Sequence, residues 1–437
     1  MTDELTSALE SRWAAPATVT GRVVSVRGGV LRARVPDARV GACFEVAREN
    51  DSLVCEVVGF DDSEAVLLPF GPTAGVRPGA GVTATQLGER APDARRVLGR
   101  VVDALGQALD GAQESMGCEG FPLSAPPPPA LSRQPIGTRL HTGIRVVDAL
   151  LPMGVGQRVG LFAGSGVGKS TLLAQLARQT NADVCVVGLI GERGREVGEF
   201  LRDALPEDAR ARTTVVVATS DAAPSLRVRA AHTATAIAEQ WRAEGKHVLL
   251  LVDSVTRYAR ALREVALAAG EPPARRGYPA SVFSTLPLLL ERSGQSAEGA
   301  ISAVYTVLVD GGDMEEPIAD EIRGIVDGHW VLSRRLAERA HFPAVDALAS
   351  VSRVAGSVSA AAELDAARGL RKALALLAKN EDAIDLGIYR AGSSADIDAA
   401  IELRSDIDAF LRQSSHATVS LRDTCDQLFE LADQLRL

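Results

Sequence analysis

Lysine is nearly missing from this chain. Among 47 basic residues only Lys169, Lys246, Lys372 and Lys379 are lysines. A chain that uses arginine almost everywhere keeps lysine where a slim point charge suits a phosphate. Basic surplus is lacking too: the net charge of −9 disfavours a nucleic-acid surface. The five cysteines (Cys43, Cys55, Cys118, Cys185, Cys425) show no C-x-x-C spacing, which argues against a zinc site or a disulfide frame and for free thiols in a reducing cytosol. No apolar run approaches the length that crosses a bilayer. Residues 1–20 carry Asp3, Glu4 and Glu10 without an apolar core, unlike a secretory signal.

What is present is enough for two or three domains: 437 residues, 46% hydrophobic and 24% charged. Residues 1–18 form an arm in which Leu5, Leu9 and Trp13 line one helical face. Either a docking helix or a frayed terminus fits them. Residues 19–90 alternate like short strands punctuated by Gly and Asp, which predicts a small closed β-barrel. Barrels of that kind can bind single-stranded nucleic acid through rings and a basic groove. Here residues 21–90 hold eight arginines against nine acids, and the only rings are Phe44, Phe60 and Phe70. A structural or ring-forming barrel is the better expectation. Pro126 to Pro129 form a semi-rigid strap into the main domain. Residues 140–355 alternate strand and helix, the pattern of a parallel sheet covered by helices. Strands are expected at 158–162, 184–190, 213–219, 247–252 and 301–309, and helices at 169–179, 224–243, 255–268 and 279–292. Residues 361–437 read as helical and acidic, with 14 acids against nine bases.

One stretch carries the chemistry. GQRVGLFAGSGVGKSTLLAQLARQ (156–179) reads as a strand, a glycine turn and a helix, which together cradle a phosphate. Ala163, Gly164, Ser165, Gly166, Val167 and Gly168 form the turn, with Ala163 where the strict pattern has glycine. Small residues let successive backbone N–H groups converge on phosphate oxygens. Lys169 can reach the β- and γ-phosphates, and the Ser170 hydroxyl, followed by Thr171, can bind Mg²⁺.

Three further segments supply companions. HVLLLVDS ends a strand on Asp253, placed to hold the shell of the metal. Arg257 follows, either pointing back towards the γ-phosphate or lying on a helix surface. VCVVGLIGERGREVGEF puts Glu192 and Arg193 in a turn after a strand. Glu192 there can orient or deprotonate an attacking water; the plainer alternative is a cap on the next helix. Arg353, in ALASVSRVAG, has no local explanation.

GQRVGLFAGSGVGKSTLL, GLIGERGREV, LLLVDSVTRYARALREVALAAGEPPARRGYPASVF and EPIADEIRGIVDGHWVLSRRLAERAHFPAVDALASVSR resemble the ATPases of type III protein secretion, injectisome and flagellar, which are similar to rotary ATP synthase catalytic subunits. The resemblance implies an α/β fold: a RecA-like P-loop NTPase core with a parallel sheet, a small β-barrel before it and a helical C-terminal domain after it. The expected divisions are 1–18, 19–90, 91–360 and 361–437. It implies a homohexamer that hydrolyses ATP with Mg²⁺ to release chaperones and unfold export substrates. Lys169 and Ser170 would meet phosphate and Mg²⁺, Asp253 the metal shell and Glu192 the water. Arg353 would be an arginine finger reaching a neighbour's site. Phe342, where Tyr is usual, would pack near the adenine. Trp330 stands where the family has a smaller aliphatic. Implied partners are a stator-like secretion regulator at the N-terminal arm, a central stalk protein, chaperone–effector complexes and the export gate, at the cytoplasmic face of the inner-membrane apparatus. No nucleic acid is expected. The injectisome branch is favoured over the flagellar one. A ring-shaped helicase and a non-catalytic nucleotide-binding ring subunit are the competing classes.

Overall fold

The computed structural model of the chain describes residues 20–85, 87–111 and 119–435. The amphipathic arm with Leu5, Leu9 and Trp13 lies outside the described residues, as does Cys118.

Alternating side chains build the first domain. Strands β1 (Thr20–Arg27), β2 (Val30–Arg34), β3 (Cys43–Ala47), β4 (Ser52–Asp61), β5 (Glu64–Pro69) and β6 (Gly81–Ala84) are antiparallel and close in the order β1-β2-β5-β4-β3-β6. Gly28 and Gly29, both at positive φ, make the two-residue turn between β1 and β2. Val23, Leu31, Val46, Val57, Leu67 and Val82 point inward and fill the barrel. Outside, arginines are spent on nearby carboxylates: Arg32 on Asp61, Arg34 on Glu64, Arg39 on Glu89 and Arg48 on Asp51.

The core is a sheet of β7 (Val101–Asp103), β10 (Arg158–Ala163), β11 (Val184–Ile190), β12 (Thr213–Ala218), β13 (His247–Asp253), β14 (Gly294–Gln295), β15 (Ala300–Leu308), β16 (Gly328–Val331) and β17 (Val351–Ser352). The spatial order is β17-β16-β10-β15-β13-β11-β12-β7, parallel from β16 to β7, with β17 antiparallel at the edge. β14 pairs antiparallel with the start of β15, and β8 (Arg139–Leu140) pairs with β9 (Met153–Gly154) apart from the sheet. Every residue of β11 and β12 is buried, which is why both strands read as nearly continuous apolar runs, broken only by Thr213 and Thr214, whose hydroxyls donate to backbone carbonyls.

Successive residues feed opposite faces. Leu161, Val187, Leu249 and Leu251 join one core with Leu172 and Leu173 of the helix Lys169–Gln179. Phe162, Val186 and Leu250 join the other, with Ile237, Trp241 and Tyr258 from the helices Pro224–Ala243 and Val255–Ala268. The first core continues into the C-terminal helices through Leu370, Ile407, Phe410 and Leu428. Trp330 gains its physical account here: on β16 it is 1% exposed and fills that same core.

Candidate active site

Parallel strands deliver their C-terminal ends to one edge, and the polar residues of the site sit there. The turn after β10 bends through Gly166 (φ 77°) and Gly168 (φ 89°), a backbone that side chains resist. Lys169 then opens the helix Lys169–Gln179, while Ser170 and Thr171 are exposed at its first turn. That leaves N–H groups of the turn and helix start directed outward, as an anion site requires.

Lys169 Nζ donates to Glu192 Oε1 at 2.9 Å and to Asp253 Oδ1 at 2.5 Å. Asp253 closes β13 and is 3% exposed; Glu192 follows β11 and is 4% exposed. Thr306 Oγ1, on β15 between β10 and β13, donates to the same Asp253 Oδ1 at 2.7 Å. Burial works against the Lys169 ammonium, but the Asp253 and Glu192 carboxylates outweigh it and hold its pKa above the ordinary lysine value. Burial pushes Asp253 up, and Lys169 opposes that rise. Glu192 is raised by burial first and then by a hydrogen bond shared with the Glu196 carboxyl, which is itself lowered by that bond. A carboxyl held above its usual range is suited to take a proton near neutrality.

The Glu192 side chain is engaged with Lys169 and with the Glu196 carboxyl, and does not cap the backbone of the next helix, Gly194–Glu199. Arg257 turns inward: its Nη1 lies 3.0 Å from Glu192 Oε2 and donates to the Gly191 carbonyl. Arg193 is not gathered in; its side chain is exposed and stands 3.8 Å from Glu196. Ala163 is the buried last residue of β10, its carbonyl accepting from Val309 N–H at 3.1 Å. Phe342 is 44% exposed, with its ring 3.6 Å from the place a Gly168 Cβ would occupy. It therefore flanks the cradle, joined to it by no strand of the sheet. The hard oxygens of Ser170 and Asp253 suit Mg²⁺, which takes one or two protein ligands and completes its shell with phosphate oxygens and water.

Arg353 lies at the other end of the sheet. Its N–H donates to the Asp327 carbonyl at 3.0 Å and its guanidinium to the Arg323 carbonyl at 3.1 Å. Asp327 grips Arg158, the first residue of β10, at 2.9 and 3.0 Å. The length of β10, roughly 20 Å, thus separates Arg353 from the cradle in its own chain. Thr306 and Glu196 were not foreseen from the sequence. A hydroxyl inside the apolar run AVYTVLV and a second acid on the turn after Glu192 were the available signals.

The family model described as ATP synthase alpha/beta family, nucleotide-binding domain, matches residues 143–352; its beta-barrel domain matches 18–86, and the T3SS EscN ATPase C-terminal domain matches 359–430. The chain is 49% identical over 396 residues to the SPI-2 type 3 secretion system ATPase of Salmonella typhimurium, covering 90% of each chain. The chain belongs to the type III export ATPases. It is 48% identical over 418 residues to the flagellum-specific ATP synthase of Treponema pallidum, covering 94% of this chain and 93% of that one. The solved structure of assembled EscN from enteropathogenic E. coli superposes with a TM-score of 0.88 at 44% identity, covering 94% of this chain and all of the other. EscN with its central stalk EscO gives 0.86 over the same share. The protein is an ATPase of type III protein secretion.

Proposed function

We propose that the chain hydrolyses ATP at a seam between identical copies in a homohexamer and uses the energy to release chaperones and unfold export substrates. The observation that carries this is the pairing of Lys169 with both Glu192 and Asp253 at one edge of the sheet, while Arg353 stands at the opposite edge. A head-to-tail ring brings opposite edges of neighbouring copies together, so every copy donates an arginine and receives one.

The roles follow from the geometry. Backbone N–H groups of 164–170 and the Lys169 ammonium bind the β- and γ-phosphates. Ser170 and Asp253 would hold Mg²⁺, which when bound neutralises charge across those phosphates. Glu192 orients a water and accepts its proton as the water oxygen bonds to the γ-phosphorus; the bond to the bridging oxygen breaks, giving ADP and phosphate. Arg257 holds Glu192 in place. Arg353 of the adjacent copy stabilises the charge on the transferring group. Phe342 offers a flat apolar face to the base. A central stalk protein, as in the EscN–EscO assembly, a regulator at residues 1–18, cargo complexes at the acidic helices and a position at the cytoplasmic base of the apparatus complete the reading. The injectisome branch is favoured by the C-terminal match.

Two measurements test it. Specific ATPase activity should rise with protein concentration as rings assemble; a flat profile across the dissociation range would remove the shared site. A chromosomal Lys169→Ala strain should lose effector secretion and keep motility; loss of motility alone would move the protein to the flagellar branch.

A further inference from the structure

A second polar hollow lies away from the cradle. A cavity of about 440 Å³ opens between the barrel and the first turns of the helix Pro224–Ala243. Glu56 and Val58 of β4 face it from one side; Ser225, Val228, Arg229 and His232 face it from the other. Ser225, Arg229 and His232 recur at i, i+4 and i+7, which is one face of a helix. Arg229 is 6% exposed and Ser225 3%. Neither Arg229 Nε nor Ser225 Oγ finds a hydrogen-bond partner among the described residues. A buried guanidinium left this way is costly unless something answers it.

Among the described residues no hydrogen bond reaches Arg229 Nε, although its charge acts on the Glu56 and Asp103 carboxyls. Both ring nitrogens of His232 are engaged, with Tyr258 Oη at 3.1 Å and Arg292 Nη1 at 3.4 Å. Burial and the Arg292 charge push His232 down to about 3, so it lends no charge. Burial pushes Glu56 up, and the Arg229 charge opposes that rise. The Arg229 fork and the Ser225 hydroxyl one turn earlier are donors on the same wall of the hollow, with the Glu56 and Glu89 carboxyls also lining it. Planar, two-oxygen acceptors are what such a fork matches, and the volume falls in the range that houses small ligands.

We propose that this cavity is a binding site for a small ligand bearing a carboxylate or phosphoryl group, held by Arg229 and Ser225 between the barrel and the core. Such a ligand would clamp the barrel to a helix whose approach is tied to the active site, since Ser220 N–H donates to the Glu192 carbonyl at 3.0 Å.

Calorimetric titration of the full chain with succinate and, separately, with inorganic phosphate tests the site. Phosphate also enters the cradle, but that contribution is common to wild type and variant and cancels in their comparison. Arg229→Met should weaken binding of one probe by roughly tenfold or more while Mg·ADP binding is retained. Succinate responding identifies a carboxylate ligand, phosphate a phosphoryl one. Equal binding in wild type and Arg229→Met, or no binding of either probe below about 10 mM, overturns the proposal. Should Arg229→Met lose Mg·ADP binding through misfolding, Ser225→Ala decides: weaker binding supports the site and unchanged binding removes it.

Discussion

Two ion clusters are buried in the core, and they differ in how completely they close. Around Arg292, which is 1% exposed, every guanidinium nitrogen has a partner. Its Nε and Nη2 take Glu239 at 3.0 and 2.5 Å, and its Nη1 takes the Leu123 carbonyl at 2.6 Å. Glu239 meets Arg292 in this forked pair and Arg242 only at 3.8 Å, and three distant segments are pinned. Around Lys169, one ammonium serves two carboxylates, and Glu192 divides itself between Lys169, Arg257 and Glu196. A closed pair holds a fold together. A cluster with competing partners can trade them for phosphate and water without unfolding anything. Burial and charge are shared by both, so neither property alone marks a reactive site.

The largest expected effect tests whether the open cluster is finished by a second copy. Arg353→Ala should lower ATP turnover by about 10³-fold or more with Mg·ATP binding largely kept, measured by steady-state hydrolysis and nucleotide titration. Mixing Arg353→Ala with Glu192→Gln protein should restore part of the activity, because some seams then hold an intact Glu192 and an intact arginine. Near-normal turnover of Arg353→Ala alone would mean that the Lys169 cluster is complete within one chain, as the Arg292 cluster is.

Glu192→Gln keeps the shape of the open cluster and removes its base. Turnover should fall by roughly 10²- to 10⁴-fold, while unfolding in urea shifts little. A large stability loss with a small kinetic one would reverse the assignment of the two clusters. Arg292→Met should show the opposite pattern. It leaves Glu239 in the interior with only Arg242, at 3.8 Å, which costs up to about 3–5 kcal/mol, read from the urea midpoint. Protein that remains folded should still bind Mg·ADP, because no atom of the Arg292 cluster belongs to the cradle.

The sequence carries these two clusters with unequal clarity, for a physical reason. Lys169, Asp253 and Glu192 each end or follow a strand that is buried along nearly its whole length, and an apolar run ending in a charge is visible along the chain. The barrel is legible through its two-residue alternation. Arg292 meets Glu239 and His232, which share one helix, only after a segment 53 to 60 residues further along has packed on it, so no local period records the cluster. The strands β7, β16 and β17, at or next to the sheet edges, are short, three, four and two residues, and their pairing depends on neighbours rather than on their own pattern. Arg353 shows the same limit. The resemblance suggested its role, but only the fold places it roughly 20 Å from its own cradle. Arg229, on a helix foreseen at 224–243, looks like any surface arginine until the barrel covers it.

The finest distinction between the clusters lies in a shared proton. Glu192 is held above the usual carboxyl range by burial first and by the Glu196 hydrogen bond second. Acting as a base, it must lose its proton, so kcat/KM rises with pH through its titration. Glu196→Ala takes away the second cause and leaves the first. Glu192 then deprotonates at lower pH, and the acid limb of the profile moves down, though not to the value of an exposed glutamate. The salt-bridged Arg292 cluster offers no such limb, because its members make no proton exchange with water during turnover. A limb that stays in place in Glu196→Ala would mean that burial alone sets Glu192. A limb that moves upward would mean that Glu196 had been stabilising the carboxylate form, and that the open cluster is tuned by charge rather than by a proton held between two acids.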